Sequence, residues 1–291
     1  MIKIFKITII NILIGLFFFS SIELIFGYWF DKDNLGPYVR EYRMRKNTYV
    51  VTYEEKKYEF VYKRNYYGFR GEKISNDKIS AVLVGGSTAD ERYKPAEFTI
   101  TERINTKIRY DKSNIKLFNA GIEGQSTRGH IANLKFWFPK LKKFKPKYLI
   151  YYVGINDTAY GDDDSNKYQF DGGVMESNTK QRIWDNIKSR SIFYDLARKS
   201  KHRFYTSEKK VLYDFDKGIE KYRKMQKLKF KSYDDFVKKS SYEKILNIKN
   251  HKTTNYLSRI DTLYRETIKF GAIPIFINQL TSTGFEFERL V

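Results

Sequence analysis

The sequence contains no cysteine and only three histidines, His130, His202 and His251. The absence of cysteine excludes disulfides, thiol catalysis and thiolate metal sites. With so few histidines we expect no metal centre, and no motif indicates a cofactor. Acidic residues are also scarce: 34 Asp and Glu stand against 55 Lys and Arg, which gives a formal net charge of +21. Such a balance raises a nucleic-acid hypothesis, because basic surfaces attract phosphate.

The one long hydrophobic run lies at the N-terminus. Residues 7–26 are apolar except for Thr8, Asn11, Ser20, Ser21 and Glu23. Twenty helical residues span about 30 Å, the thickness of a bilayer core. Lys3 and Lys6 precede the run, and aromatic residues 28–30 follow it, as at a membrane interface. We predict that residues 1–30 are a short cytoplasmic N-terminus and an uncleaved signal anchor. A cleaved signal peptide and a buried core helix are the alternatives.

This anchor predicts a single-pass protein of the bacterial cytoplasmic membrane, with its C-terminal domain outside the cytoplasm. Residues 31–75 are predicted to be a juxtamembrane linker and a β-hairpin, whose strands are Tyr49–Tyr53 and Tyr58–Tyr62. Because a domain outside the cytoplasm rarely meets nucleic acid, we expect no nucleic-acid partner.

Residues 76–291 show strand patterns that alternate with helix patterns. This alternation predicts right-handed βαβ units and a parallel sheet. The predicted fold class is therefore α/β, a flavodoxin-like three-layer αβα arrangement. The predicted strands are 81–84, 115–118, 147–153 and 273–277, and the predicted helices are 95–109, 127–141 and 253–270.

A basic insertion of about residues 160–250 interrupts this alternation. Residues 198–249 contain 17 Lys and Arg against 7 Asp and Glu, and their apolar residues are spaced for short amphipathic helices. We predict a helical lid or partner surface that faces an anionic surface, such as lipid headgroups or acidic glycan.

Three clusters that can carry chemistry each follow a predicted strand. Gly85-Gly86-Ser87-Thr88 places a serine between a buried strand and a helix, where two glycines permit a sharp turn and a close substrate. Asn119–Ser126 contains glycines that can present a backbone N–H. In Gly154-Ile155-Asn156-Asp157, the Asn156 amide can donate into a cleft, and Asp157 can hold neighbouring backbone.

Each cluster alone also fits a purely structural role: a glycine-rich turn with a serine cap, a plain turn, or an Asx-type helix cap. Their common position favours one site, because ligands of open parallel sheets bind at the carboxyl ends of the strands. There Ser87 would attack an ester carbonyl. A backbone N–H near Gly124 and the Asn156 amide would stabilise the oxyanion, with Gly86 and Asp157 in support.

The three clusters resemble the conserved blocks of the SGNH/GDSL hydrolase family. The resemblance covers roughly residues 65–158 and 250–285, and it includes Asn65–Gly71 and Gly271–Pro274, which are similar to flanking segments of membrane-anchored bacterial members. It implies that Ser87 is the nucleophile and that Gly124 and Asn156 form the oxyanion hole. It also implies a substrate that is an acylated cell-envelope glycan or a lipid ester.

The sequence departs from this family in one block. The family's Asp-x-x-His, which supplies the general base, has no match here; His130 is interpreted as structural or solvent-facing, and His202 and His251 as solvated. We therefore expect a C-terminally truncated chain that lacks the last αβ unit and has no general base. Two functions stay open: an ester hydrolase or O-acyl transfer protein, and a catalytically inactive glycan-binding or scaffold protein. An α/β-hydrolase is disfavoured, because Ser87 misses the G-x-S-x-G spacing.

Overall fold

The structure is a computed structural model that describes residues 2–31, 35, 45–71, 78–111, 115–160, 179–206, 210–218, 229–230, 242–278 and 286–287. Its first element is the 25-residue helix α1, Ile2–Phe26. The segment Ile4–Phe26 has a mean hydropathy of 2.3 and is not buried against the rest of the chain. It is long and apolar enough to cross a membrane, as the sequence predicts.

A small sheet follows α1. Strands β1 (Lys46–Tyr53) and β2 (Lys56–Lys63) form an antiparallel hairpin. Its turn is only Glu54 and Glu55, both with positive φ, as in the tight type I′ turns that fit the twist of a hairpin. The carboxylate of Asp216 accepts hydrogen bonds from both turn amides, at 2.9 and 3.0 Å. The hairpin prediction is confirmed, with longer strands and a shorter turn than the sequence indicated.

The third strand of this sheet comes from the basic insertion. Val211–Asp214 pairs in parallel with β1, and Tyr213 packs with Tyr49 and Tyr62 in an aromatic core. The prediction that this part of the insertion is helical is therefore wrong. Residues 211–214 pair with the edge of β1 that β2 leaves open. The spacing of apolar residues within 211–214 does not reveal this pairing.

The main sheet has four parallel strands. They are β3 (Ala81–Gly85), β4 (Leu117–Asn119), β5 (Tyr148–Val153) and, after the insertion, Ile273–Asn278. Strands are numbered in chain order. The insertion strand Val211–Asp214 is β6, and the two-residue strands Lys229–Phe230 and Glu286–Phe287 are β7 and β9. The last main-sheet strand, Ile273–Asn278, is therefore β8. The strand order is β4-β3-β5-β8, which is the flavodoxin-like order of a doubly wound sheet. The predicted α/β class is confirmed.

The helices of this domain are connected to the strands as a parallel sheet requires. Asn105 lies on the helix between β3 and β4, where its side chain bonds the backbone N and O of Leu117, both at 2.9 Å. The helices are α2 (Ser87–Asp90), α3 (Ile100–Tyr110), α4 (Thr127–Ala132), α5 (Ile155–Tyr160), α6 (Thr179–Arg190), α7 (Ile192–Thr206) and α8 (Tyr242–Phe270).

The largest core lies between the main sheet and the two elements that cover one of its faces, which are α4 with the turns that follow it and α8. Val82, Val84 and Leu149 of the sheet pack with Trp137, in the turn that continues α4, and with Leu263 of α8; all five are 5% exposed or less. Burying one such side chain stabilises the fold by about 1.5–3 kcal/mol. On the opposite face, the β8 side chains of Ile273, Ile275 and Ile277 stay 49%, 40% and 45% exposed.

Several element boundaries differ from the predicted ones. The strand predicted at 115–118 begins at Leu117, where the Asn105 side chain bonds the backbone. Thr99 caps α3, so the helix predicted from residue 95 begins at Ile100. The helix predicted over 127–141 is α-helical only to Ala132 and continues as a π turn and a 3-10 turn. Pro139, which has no amide hydrogen, lies in that 3-10 turn.

Candidate active site

Ser87 lies at the carboxyl end of β3, at the first position of α2. Its side chain is exposed, whereas Gly85 and Gly86 before it and Ala89 after it are buried. Strands β3 and β5 flank the point where the strand order reverses, which is where open α/β sheets bind ligands. Ser87 is thus an accessible hydroxyl at the carboxyl end of the sheet, which is the end where ligands bind in this kind of fold.

Asn156 lies beside Gly86. Its Nδ2 donates a hydrogen bond to the backbone oxygen of Gln125, at 2.9 Å. A Cβ atom added to Gly86 would come within 2.1 Å of that Nδ2 and 3.2 Å of the Gln125 oxygen. A side chain at position 86 would therefore displace the Asn156 amide from its place beside Gly86. The structure brings together one residue from each predicted cluster: Gly86, Gln125 and Asn156.

Gly124 precedes Gln125 in the loop after β4. Its φ of 77° lies in the left-handed region, where a side chain would be strained. The loop is anchored to the sheet by two backbone hydrogen bonds, from Ala120 N to Leu83 O at 2.8 Å and from Ile122 N to Gly85 O at 2.9 Å. The loop that contains Gly124 is therefore fixed relative to the end of β3.

A buried ionic cluster lies behind Ser87, and the sequence analysis did not identify it. Asp90 is fully buried and accepts hydrogen bonds from the Tyr62 hydroxyl at 2.6 Å and from the Arg64 guanidinium at 2.9 Å. Arg92 lies 3.6 Å from the second carboxylate oxygen and also pairs with Glu123. Burial raises the pKa of Tyr62 to about 12, so the phenol stays protonated and can donate.

Arg64 connects this cluster to the loop after β4. Its guanidinium donates to the backbone oxygen of Gly121 from both terminal nitrogens at 2.8 Å, and its Nε donates to Gly68 O at 2.8 Å. Arg70 performs a similar task on the chain after α2, bonding the carbonyls of Asp90, Glu91 and Lys94 at 2.5, 2.8 and 2.6 Å. The segment 64–71 therefore holds the backbone on both sides of the candidate site.

Asp157 anchors the third cluster to α4. Its carboxylate accepts hydrogen bonds from the backbone N of Thr127, at 3.2 Å, and from the Thr127 hydroxyl. Arg259 of α8 approaches to 3.5 Å and donates from Nε to the same hydroxyl at 2.8 Å. Burial raises the pKa of Asp157, although the Thr127 bonds and Arg259 lower it in part.

His130 is buried rather than solvent-facing. It is 1% exposed, and its Nδ1 lies 3.1 Å from Oε1 of Gln125, whose side chain is also bonded to Asn133. Burial lowers the pKa of His130 to about 3, so the ring is neutral at pH 7. The ring helps to fix Gln125, the residue that accepts the Asn156 bond. The side chains of His202 and His251 lie outside the described residues.

Within the described ranges, no histidine or carboxylate is hydrogen-bonded to the Ser87 hydroxyl, and no group of three or more potential metal ligands occurs. The supporting residues Arg64, Arg70 and Asp90 were missed because an isolated charge in a sequence is normally solvated. One signal was present: Asn65–Gly71 resembles a flanking segment of membrane-anchored family members, and two arginines there, Arg64 just before it and Arg70 within it, are buried.

Comparisons with known proteins do not assign a function to this site. No family model matches the chain, and no curated protein matches it. Among solved structures, the chain is similar to AlinE4, an SGNH-hydrolase family esterase, at 14% identity and a TM-score of 0.27, over 68% of this chain and 75% of that one. It is also similar to LAE5, an alpha/beta hydrolase from the metagenome of Lake Arreo, Spain, at 15% identity and a TM-score of 0.26, over 67% and 75%. Likenesses this low do not transfer an activity.

Proposed function

We propose that the protein is an ester hydrolase or O-acyl transfer protein that acts through Ser87 on acylated cell-envelope glycan or lipid. The observation that carries the proposal is the contact of three loops beside this serine: Gly86 fits between the Asn156 amide and the Gln125 carbonyl. The proposal places the domain outside the bacterial cytoplasmic membrane, with α1 as its single span.

In this mechanism Ser87 Oγ attacks the ester carbonyl and gives up its proton to a base. The carbonyl oxygen becomes an oxyanion, which the Asn156 amide and the Gly124 backbone stabilise. The intermediate collapses, the ester C–O bond breaks, and the leaving oxygen takes the proton back from the base to depart as the alcohol. Water or a second hydroxyl then gives its proton to the base and attacks the acyl carbon, and Ser87 leaves and regains a proton. Asn156 can serve because its amide has two hydrogens, and the bond to Gln125 uses one of them.

Among the described residues, we find no candidate for the base that accepts the proton of Ser87. His130 is buried and neutral, with its Nδ1 directed at Gln125. This observation favours a second function, a non-catalytic protein that binds an acylated glycan with the same loops. A discriminating assay therefore has to supply a base as well as a substrate.

The test is hydrolysis of p-nitrophenyl acetate by the full-length protein in detergent micelles, with and without added imidazole. We expect turnover that Ser87→Ala abolishes and that Thr88→Ala, at the neighbouring exposed hydroxyl, retains. Asn156→Ala is expected to lower kcat by about 10²–10³-fold, the usual loss for one oxyanion donor. Because Ser87 is exposed, its substitution should change stability by no more than about 0.5 kcal/mol.

The outcomes separate the two functions. Turnover that needs both Ser87 and imidazole would show that the nucleophile is competent and that the base is missing. Hydrolysis that is equal in the wild type and in Ser87→Ala would overturn the enzymatic proposal. Calorimetric binding of an O-acetylated oligosaccharide, but not of its deacetylated form, would then support the binding protein.

A further inference from the structure

The helical hairpin α6–α7 is attached to the C-terminal end of α1. The backbone N of Tyr28 donates to Arg190 O at 2.7 Å, and the backbone N of Ile192 donates to the Glu23 carboxylate at 3.2 Å. The ring of Phe19 packs on that of Phe193, with centroids 4.9 Å apart. Thus the junction of α6 and α7 contacts the last two turns of the apolar helix.

These contacts explain the carboxylate within the apolar segment. Glu23 accepts a hydrogen bond from the first residue of α7, where the backbone N–H groups lack partners within the helix and the helix dipole favours negative charge. The Tyr28 hydroxyl makes a second link, to Asp195 at 3.4 Å. Glu23 is therefore a helix cap that joins the anchor to the hairpin.

The depth of this junction follows from helix geometry. A helix rises by 1.5 Å per residue, so Glu23 lies only about 4.5 Å below Phe26, and Phe19 about 10 Å below it. If α1 spans a bilayer, the start of α7 lies at the boundary between headgroups and acyl chains. Interfacial helices bury their apolar faces at this depth.

The hairpin exposes the side chains that such a position requires. On α6, Ile183, Trp184 and Ile187 lie within one arc of the helix and are 55%, 52% and 38% exposed. On α7, Tyr194 and Leu196 are exposed as well. Tryptophan and tyrosine are enriched at membrane interfaces, because their rings have an apolar body and a polar edge.

The charge of the hairpin complements an anionic surface. Residues 179–206 contain eight Lys and Arg against the two acids Asp185 and Asp195. Asp195 is occupied by Tyr28 and by Arg198, at 3.4 Å from each. An apolar face flanked by basic residues is the pattern of helices that lie on anionic membranes.

We propose that α6–α7 lies on the bilayer surface where α1 emerges, with Ile183, Trp184 and Ile187 inserted among the lipids and the basic residues on anionic headgroups. This inference rests on α1 spanning the membrane and not on the chemistry of Ser87. Because β6 follows α7 and pairs with β1, the hairpin would hold the remainder of the domain at a fixed height above the bilayer.

The absence of cysteine makes a direct test clean, since a nitroxide can be attached at one introduced position. Trp184→Cys and Ile187→Cys would be labelled in full-length protein reconstituted in vesicles of phosphatidylcholine, with and without phosphatidylglycerol. The matched control is Tyr110→Cys, at the end of α3, where the side chain is 81% exposed. Collision of each label with oxygen and with nickel-EDDA is measured by electron paramagnetic resonance.

We expect both hairpin labels to collide with oxygen and to be shielded from nickel-EDDA, more strongly with phosphatidylglycerol, and the control label to show the reverse. Nickel accessibility equal to that of the control would overturn the proposal. So would shielding from both reagents, which would indicate a protein partner on this face. Adding Glu23→Ala should raise the mobility of the Ile187→Cys label; unchanged mobility would contradict the role of Glu23 as the link.

Discussion

Two buried aspartates, Asp90 and Asp157, lie behind the two sides of the candidate site and are held differently. Asp90 follows Ser87 by three residues and pairs with Arg64 at 2.9 Å, with both side chains wholly buried. Asp157 directly follows Asn156, and its cation Arg259 is more distant, at 3.5 Å, while Thr127 supplies its closest donors.

The difference indicates separate roles for the two carboxylates. The negative charge of Asp90 is compensated by two guanidinium groups and a phenol. Because Tyr62 and Arg64 come from the hairpin and the residue after it, and Arg64 also bonds Gly121, this network connects the hairpin, α2 and the loop after β4. Asp157 is held mainly by neutral donors, and burial raises its pKa, which makes its charge responsive to pH. We therefore expect that breaking the Asp90 network lowers the free energy of unfolding most. We expect that the Asp157 network makes this free energy depend on pH.

The largest effect is expected for Arg64→Met. It leaves Asp90 buried without its direct cation and also frees the carbonyls of Gly68 and Gly121. Breaking a buried pair from one side costs about 3–5 kcal/mol in the free energy of unfolding. Urea unfolding of the micelle-bound protein, followed by circular dichroism, measures this loss. The exposed Arg109→Met is the control, and a loss no larger than the control's would contradict the structural role of the pair.

A smaller effect is expected for Arg259→Met in the other network. Thr127 still donates to Asp157 from its backbone and its hydroxyl, so the carboxylate keeps its closest partners. We expect a loss of about 1–2 kcal/mol, in the range for a hydrogen bond near a charge. Arg265→Met, at an exposed ion pair on the same helix, is the control. If Arg259→Met proved as costly as Arg64→Met, the contrast between the two carboxylates would be refuted.

The smallest effect, and the most specific, is the pH response of Asp157→Asn. Because burial raises the pKa of Asp157 in the folded chain, the folded state binds this proton more tightly than the unfolded chain does. Its stabilising contribution is therefore present below the unfolded pKa of about 3.9 and is lost as the pH rises through the folded pKa. The variant should thus gain stability relative to the wild type over this window and then reach a plateau.

Urea unfolding at a series of pH values measures that difference. Asp111→Asn, which removes an exposed carboxylate, controls for the change in net charge. Curves for Asp157→Asn and the wild type that stay parallel across the window would show that Asp157 does not titrate differently in the folded state.

Much of the architecture was predictable because it depends on local pattern. Buried strands such as 81–84 and 147–153 are short apolar runs, and alternation with helices fixes a parallel sheet. The three strand-end clusters could be located for the same reason. In contrast, β6 lies in a basic segment and pairs with β1, a strand far earlier in the chain, so its place in the sheet cannot be predicted from its own residues.

The sequence by itself determined the long apolar N-terminal helix, the α/β class and the placement of Ser87, Gly124 and Asn156 after strand ends, since each depends on residues close together in the chain. Only the tertiary structure decided that Arg64 would compensate Asp90, that Glu23 would cap α7, and that His130 would be buried against Gln125. Those outcomes depend on which distant segments meet in a water-poor environment. There a charge needs a partner, and the order of residues along the chain does not state which partner it will be.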